Sequence, residues 1–215
     1  MQIHDFDYAD ARCVEKVVSE TLPCLAKMKE RGLIKYIGLA SYQCEEMLEI
    51  IDKSPVKVDA VLSHSRMTLV NQSLVEFIPE FKKRGVAVIN GSATSCGCLL
   101  SSGVPEWMMI TEELKEACNK AVKQCQLSEY IIERLANHYS YTQGLSAGVD
   151  VFLTGASERN LLDLNLKCYF NGISRYEKAM CDQIVEDVFR KLPADHTDIN
   201  KIARATIVKA NSTSE

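Results

Sequence analysis

Residues 33–40, LIKYIGLA, end in an apolar run, and two similar runs follow along the chain: VDAVLS at 58–63 and VAVIN at 86–90. The three runs are mostly apolar and lack the alternation that marks a strand with one exposed face. Strands buried on both faces have this composition, and they occur almost only in parallel sheets that are covered by helices. These runs therefore predict the central strands of an α/β sheet.

Helical patterns separate these strands. A stripe at i, i+3, i+4 and i+7 begins at Val14, and Pro23 is expected to kink or divide that helix. The next helix but one places Leu74, Ile78 and Phe81 on one face. In the first half of the chain the patterns predict helices at 14–28, 44–52 and 73–84. In the second half they predict a helix that starts at 112 with Thr111 as its cap, and further helices at about 128–141, 157–166 and about 174–191. Helices between strands imply right-handed βαβ units.

Two more strands are predicted at 1–4, MQIH, and 149–154, VDVFLT. Five strands in such units fit either an open doubly wound sheet or part of a (β/α)8 barrel. No G-x-G-x-x-G follows the first strand, so the usual mark of a dinucleotide-binding open sheet is missing. A barrel unit takes about 31 residues, and five units with an extra helix account for most of the chain.

Composition excludes several classes of function. The chain has 215 residues, a net charge of −4 and 47% hydrophobic residues, which predicts a globular protein without a basic surface for nucleic acid. No apolar run is long enough to span a membrane and no secretory signal is visible, so a cytoplasmic protein is expected. The nine cysteines contain no C-x-x-C pair and predict reduced thiols. Cys96-x-Cys98 is a weak metal signal, and no metal site is predicted.

Five motifs in order resemble the aldo-keto reductases: QIHD, RGLIKYIGLASY, VDAVLS, RGVAVINGSATSCGCLLSSGVPEW and TGASERNLLDLN. VPEW is most similar to the L-galactose dehydrogenase branch of that family. The resemblance implies a TIM barrel that uses a nicotinamide cofactor to interconvert carbonyls and alcohols. QIH would end the fourth strand, so we expect a partial (β/α)8 barrel of strands four to eight with a C-terminal helix. Residues 1–192 would form this domain, and 193–215 a polar, loosely ordered tail.

The resemblance makes His4 the catalytic histidine, which orients the substrate oxygen. The alternative is a strand-end histidine that binds a backbone carbonyl. The family's tyrosine, lysine and aspartate lie before QIH and have no match here, and Tyr8 and Tyr36 do not fall at the tyrosine's place. Loss of a general acid typically costs about 10²–10⁴ in rate. The resemblance therefore predicts little activity for these 215 residues by themselves.

The cofactor side matches the family better. Gly155, Ala156 and Ser157 lie between a strand and a helix N-terminus, where backbone N–H groups favour a phosphate. The resemblance assigns this turn to the adenosine half of the cofactor, and Asn165 to the adenine. The alternative is a short turn in which Ser157 merely caps the helix. The family's NADP-binding arginine falls at Leu161, so NAD is favoured over NADP, although Arg159 is near.

The resemblance also assigns Ser92 and Thr94 to the pyrophosphate loop, with Cys96 at a further position of that loop. The alternative is a loop that is simply rich in small residues. Ser41 matches one carboxamide contact. Three positions depart from the family pattern at the nicotinamide end: Ala40, Ala60 and Gly91.

Two other features are weighed against structural roles. His64-x-Arg66 follows a strand end, and a structural role is favoured over a ligand role. Trp107, Met108 and Met109 are expected to lie in the core rather than along a substrate wall.

Three functions compete. The first is an NAD(P)-dependent oxidoreductase acting on a small sugar or carbonyl substrate. The second is a non-catalytic remnant that binds a cofactor or a partner, and the third is an unrelated α/β binding module, which would make all five motif matches chance. In a partial barrel, an oligomer or partner is expected to cover the exposed sheet edges.

Overall fold

A computed structural model of the chain describes residues 1–6 and 12–212. Five strands form one sheet in the order β1-β2-β3-β4-β5, and each pair of neighbours is parallel. Their bounds are β1 Gln2–His4, β2 Gly38–Ser41, β3 Ala60–His64, β4 Ala87–Gly91 and β5 Val151–Phe152. Within the described residues the sheet is open, because β1 pairs with β2 alone and β5 with β4 alone. The predicted partial barrel with five parallel strands is confirmed.

Nine α-helices surround or extend the sheet in the described ranges. They are α1 Arg12–Lys16, α2 Leu22–Glu30, α3 Cys44–Lys53, α4 Leu74–Lys83, α5 Glu112–Leu127, α6 Ile132–Ala147, α7 Arg159–Asn171, α8 Arg175–Ile184 and α9 Lys201–Ser212. A π-helical turn at Val17–Thr21 joins α1 to α2 just before Pro23. Since proline lacks an N–H, the i→i−4 ladder cannot continue through it, and this turn is the expected disturbance of the first helix. None of the helices in the described segments is long and apolar enough to cross a membrane.

The core has two parts. One lies between the sheet and helices α2, α3 and α4, and it contains Leu39, Val61 and Val88 from three adjacent strands. The predicted face of α4 is confirmed, since Leu74, Ile78 and Phe81 are all buried there. The second part joins α5, α6 and α8. In this second part the helices pack on one another and on the loop residues Leu69 and Leu99, whereas α3 and α4 pack directly on the sheet.

Strand β2 begins later than the sequence predicts. Its ladder starts at Gly38, which pairs with Gln2, rather than at residue 34. Leu33 still belongs to the end of α2, because its N–H donates to the Met28 carbonyl at 3.0 Å. The Tyr36 carbonyl still accepts a hydrogen bond from the Met1 amino group at 2.9 Å, but the paired register of the two strands begins only at Gln2 and Gly38.

Helix α6 also begins later than predicted. Glu129 has a positive φ of 59°, and the N–H of Tyr130 donates to the Cys125 carbonyl at 2.9 Å. This left-handed ending stops α5 and delays α6 to Ile132. Ile131, which the sequence places inside this helix, therefore precedes it and is exposed. Trp107, expected in the core, is 72% exposed.

The expectation of a loosely ordered tail is wrong for residues 194–212. A 3₁₀ turn at Ala194–Thr197 precedes α9. Asn71 Nδ2 donates to Thr197 Oγ1 at 3.2 Å, and Arg66 pairs with Asp198 at 3.3 Å. These contacts hold the segment against loops of the barrel, which the polar composition alone does not reveal. The domain boundary at residue 192 stays a prediction.

Candidate active site

The predicted site residues lie at the carboxyl ends of the strands, on one side of the sheet. His4 is the last residue of β1, Ser41 of β2 and His64 of β3. Ser92 directly follows β4, and the loop 153–158 follows β5. Because all five strands are parallel, their carboxyl ends meet at the same edge, which is where barrels of this kind bind substrates.

His4 is about half exposed, and no backbone carbonyl among residues 1–6 and 12–212 accepts a hydrogen bond from it. Its Nδ1 lies 2.8 Å from Asp5 Oδ1. Asp5 has a φ of 59°, which is uncommon for a residue other than glycine. The carboxylate therefore fixes one nitrogen of the imidazole. Asp7 and Tyr8 lie outside the described residues.

Ser41 and Ser92 each shape a loop at this edge. The buried Ser41 Oγ accepts a hydrogen bond from the Gln43 N–H at 2.8 Å, at the entrance to α3. Ser92 Oγ accepts from the Cys96 N–H, also at 2.8 Å. The carbonyl of Thr94 accepts from the Leu99 N–H at 3.0 Å. Both serines therefore order the loops in which the sequence placed cofactor contacts.

The loop between β5 and α7 is braced by Asn165. Its Nδ2 donates to Thr154 Oγ1 at 2.9 Å and to the Gly155 carbonyl at 3.2 Å, and its Oδ1 accepts from Asn137 Nδ2 at 3.2 Å. A Cβ added at Gly155 would meet nothing within 4 Å, so this part of the loop is open to a ligand.

The start of α7 is not capped by Ser157. The N-cap is Glu158, and its side chain makes no capping hydrogen bond. The first N–H groups of a helix otherwise lack partners, and they favour an anion. Arg159, near the NADP position, is 93% exposed and lies 4.0 Å from Asp163.

A cavity of about 230 Å³ adjoins this loop, between β4, β5, α6 and α7. Thr154 and Asn165 line it together with the rings of Tyr141, Phe152 and Tyr169. Asn90 also lines it and is buried, and its Oδ1 has no hydrogen-bond partner among the described residues. An apolar wall with a few amides suits a flat ring that carries polar edges.

One cluster at this edge was not predicted as a unit. The Cys96 sulfur lies 3.3 Å from Tyr42 Oη, 3.4 Å from Ser65 Oγ, 3.4 Å from Ser92 Oγ and 3.9 Å from His64 Nδ1. Burial alone would raise the pKa of Cys96, but the hydrogen bonds from these four side chains outweigh it and lower the pKa to about 7. In the sequence, the signals were the strand-end His64 and the position of Cys96 in the loop after β4.

Arg66 has the structural role that the sequence favours. Its Nε donates to the Tyr42 carbonyl at 2.6 Å, and its guanidinium also contacts Gln43 and Asp198. It therefore links the loop after β2 to the C-terminal segment. In the described portion of the chain, no group of three or more His, Cys, Asp or Glu side chains is placed to hold a metal ion.

Comparison with known proteins agrees with this architecture. The sequence profile of the Aldo/keto reductase family matches residues 1–186. An aldo-keto reductase from Bacillus halodurans, in its holo form, superposes with a TM-score of 0.58 at 17% identity, covering 85% of this chain and 57% of that one. The chain belongs to the aldo/keto reductase family.

Two curated relatives are sugar dehydrogenases by name. L-galactose dehydrogenase of Arabidopsis thaliana is 30% identical over 159 residues, which are 74% of this chain and 49% of the relative. D-arabinose 1-dehydrogenase of Saccharomyces cerevisiae is 24% identical over 186 residues, which are 81% of this chain and 56% of the relative. The chain spans about half the length of the curated relatives it matches.

Proposed function

We propose that this chain is the cofactor-binding, carboxyl-terminal part of an NAD(P)-dependent oxidoreductase of the L-galactose dehydrogenase type. It would interconvert a sugar hydroxyl and a carbonyl by hydride transfer. One observation supports this most: His4, Ser41, Ser92 and the loop before α7 share the carboxyl edge of one parallel sheet.

The described residues fit the proposed cofactor in part. Ser92 and Thr94 would bind the pyrophosphate, and Ser41 the carboxamide. Gly155, Ala156 and Ser157 would bind the adenosine half beside the uncapped start of α7. NAD is favoured because Leu161 occupies the family's NADP-binding position and Arg159 points its charge to solvent and Asp163.

His4 would meet the substrate. The bound cofactor supplies the group that accepts or gives the hydride. With Nδ1 held by Asp5, a neutral imidazole carries its proton on Nδ1, and Nε2 is the acceptor. An acceptor at this place suits a sugar hydroxyl, which donates to it while being oxidised. The 215 residues offer no match to the family's tyrosine, so we propose little turnover for this polypeptide alone.

A cofactor- or partner-binding remnant is the second candidate. It is favoured by the state of Asn165, whose amide already bonds to Thr154, Gly155 and Asn137 and would have to release them to contact adenine. In that case a dinucleotide would bind weakly or a different partner would use the edge.

The two candidates are tested by titrating the purified chain with NADH and NADPH, followed by fluorescence, and by assays with L-galactose and D-arabinose. We expect NADH to bind, NADPH to bind more weakly, and no measurable turnover. Absence of binding by both dinucleotides would exclude the cofactor role. Turnover that disappears in His4→Ala would show that the polypeptide is active without the family's tyrosine.

Two further parts of the proposal concern the cellular compartment of the protein and the chain that covers its sheet edges. Nine cysteines without a disulfide suit a reducing compartment, so we place the protein in the cytoplasm. The two open edges of the sheet would be covered by another chain, and in the isolated polypeptide by a second copy.

A further inference from the structure

We infer that Cys96 is a peroxide-sensitive site, at which a small hydroperoxide oxidises the thiol to a sulfenic acid. The site consists of Cys96 as nucleophile, His64 as the base and three hydroxyl groups around the sulfur. Nothing in the proposed hydride transfer uses this thiol.

The geometry is that of an activated nucleophile. His64 Nδ1 lies 3.9 Å from the sulfur, within the reach of a thiol–imidazole hydrogen bond. The Tyr42 ring packs against the imidazole with the ring centres 5.0 Å apart, which positions the base. The hydroxyls of Tyr42, Ser65 and Ser92 all lie within 3.4 Å of the sulfur. Four hydrogen-bonding groups from three loops can therefore stabilise a thiolate.

Three buried cysteines show the opposite shift in pKa. Burial raises the pKa of Cys44 and Cys125 to about 11 and that of Cys181 to about 12. With its pKa lowered to about 7, Cys96 is about half ionised at neutral pH, whereas an ordinary thiol near 8.5 is roughly 3% ionised. The thiolate is the reactive form of cysteine, so Cys96 should react with an oxidant faster than the three buried thiols with raised pKa values.

The reaction balances without a further reagent. His64 Nδ1 takes the thiol proton, and the sulfur attacks one oxygen of the hydroperoxide. The O–O bond breaks, the sulfur is oxidised by two electrons, and the leaving oxygen is reduced and takes the proton back from His64. The products are a sulfenic acid and water, or an alcohol from an organic hydroperoxide.

A small oxidant fits the site better than a bulky one, because Cys96 is only partly exposed and three hydroxyl groups lie against its sulfur. The titratable groups that face it are Tyr42 and His64, and beyond them the charge of Arg66 is paired with Asp198. Oxidation would add an oxygen beside Ser92, so it would also disturb dinucleotide binding. That consequence rests on the proposed function, whereas the oxidation itself does not.

The test treats the intact chain with hydrogen peroxide in the presence of dimedone and locates the adducts by peptide mass spectrometry. We expect Cys96 to be the main adduct, with a labelling rate that rises with a midpoint near pH 7. His64→Gln should move that midpoint up by at least one pH unit and slow labelling at pH 7 severalfold. His138→Gln, which removes a histidine elsewhere, should change neither value.

Ser65→Ala provides a second variant in case His64→Gln fails to fold, as checked by circular dichroism. It should raise the midpoint by a smaller amount. The inference is overturned if Cys96 gives no adduct, or if its midpoint stays near 8.5 or is the same in His64→Gln and Ser65→Ala as in the unchanged chain. None of these readouts depends on cofactor binding, so failure of the proposed function would leave them unaffected.

Discussion

Four residues other than glycine with positive φ lie in two of the three loops that meet at the Cys96 sulfur: Ser65, Ser92, Ser95 and Cys96. Such conformations cost free energy and persist where surrounding contacts hold them. Here the contacts are short hydrogen bonds, such as Cys96 N–H to Ser92 Oγ at 2.8 Å. The loop after β4 is therefore held in one shape without a ligand, which suits the pyrophosphate contact proposed for it.

The first residue-scale prediction concerns Ser92→Ala. The substitution removes the acceptor for the Cys96 N–H and the proposed contact to the pyrophosphate. One hydrogen bond is worth about 0.5–1.5 kcal/mol, so we expect NADH affinity to fall by a factor of about 2 to 13. Fluorescence titration measures this.

Ser146→Ala is the matched control, because Ser146 donates to the Thr142 carbonyl on the exposed side of α6, away from the site. Its NADH affinity should equal that of the unchanged chain. Equal affinity in Ser92→Ala would remove the loop after β4 from the proposed cofactor site.

At the scale of elements, two aspartates connect helices to strands at the amino ends of the strands, opposite the candidate site. Asp59 precedes β3, pairs with Lys29 of α2 at 2.6 Å and accepts from the Ile37 N–H at 2.9 Å. Asp150 precedes β5, pairs with Lys82 of α4 and accepts from the Val88 N–H at 2.7 Å. Each carboxylate thus joins the end of a helix to the start of the following strand and to its own strand.

These carboxylates should make the fold sensitive to acid. Burial alone would raise the pKa of Asp59, but hydrogen bonds from Lys29 and Ile37 outweigh it, and the folded pKa lies below its ordinary value. The stabilisation is therefore present above the unfolded pKa near 3.9 and is lost as pH falls through the folded value.

We expect Asp59→Asn to lower the free energy of unfolding at pH 7 by about 1.5–3 kcal/mol, because it removes a charged hydrogen-bond partner. The difference from the unchanged chain should shrink below pH 4. Urea unfolding at pH 7 and at pH 3 measures both values. Asp150→Asn should act in the same direction but more weakly, since Asp150 is more exposed.

Asp187→Asn is the control for this prediction. Within the described residues, Asp187 pairs with Lys191 alone, and both side chains are exposed, so its loss should cost less than about 1 kcal/mol. An equal loss of stability in Asp187→Asn and Asp59→Asn would show that general surface charge, rather than the link between helix and strand, governs stability.

The sequence predicted the element types well because burial on both faces leaves a clear composition in β2, β3 and β4. It missed the element boundaries that are set by backbone geometry rather than by composition. The left-handed Glu129 ends α5 without the glycine that usually marks such a place, and the start of β2 depends on where β1 can offer partners. The helix at Lys201–Ser212 was missed because its polar composition resembles that of a tail.

The candidate site was predictable only through its separate parts. Strand ends and the resemblance located His4, Ser41 and Ser92 at one edge. The cluster around Cys96 requires side chains from the loops after β2, β3 and β4, up to 54 residues apart along the chain. No local sequence pattern indicates that these side chains lie together, because only the fold brings them into contact.

At the scale of the whole molecule, the two outer strands of the sheet, β1 and β5, each have one unpaired side within the described residues. Besides the unpaired side of β1, a broad apolar surface follows β5 onto α7. Its members are exposed or nearly half exposed: Val151, Leu153, Leu161, Leu162, Leu166, Tyr169 and Phe170. Exposed apolar side chains in this number on β5 and α7 are typical of a contact with another chain.

The last prediction is that the isolated 215-residue polypeptide self-associates through this surface and its strand edges. Fully burying one large apolar side chain is worth about 1.5–3 kcal/mol, and each of these partly exposed side chains would contribute a part of that value. Several together are substantial against a total stability of about 5–15 kcal/mol, so covering them favours association. Sedimentation should give a mass above the 24.1 kDa of one chain. Phe170→Asp should raise the monomer fraction, whereas Leu127→Asp, at the far end of α5, should not. A monodisperse monomer that melts cooperatively above about 60 °C would contradict the prediction, because a domain with open edges and this exposed surface should not reach the upper mesophile range unaided.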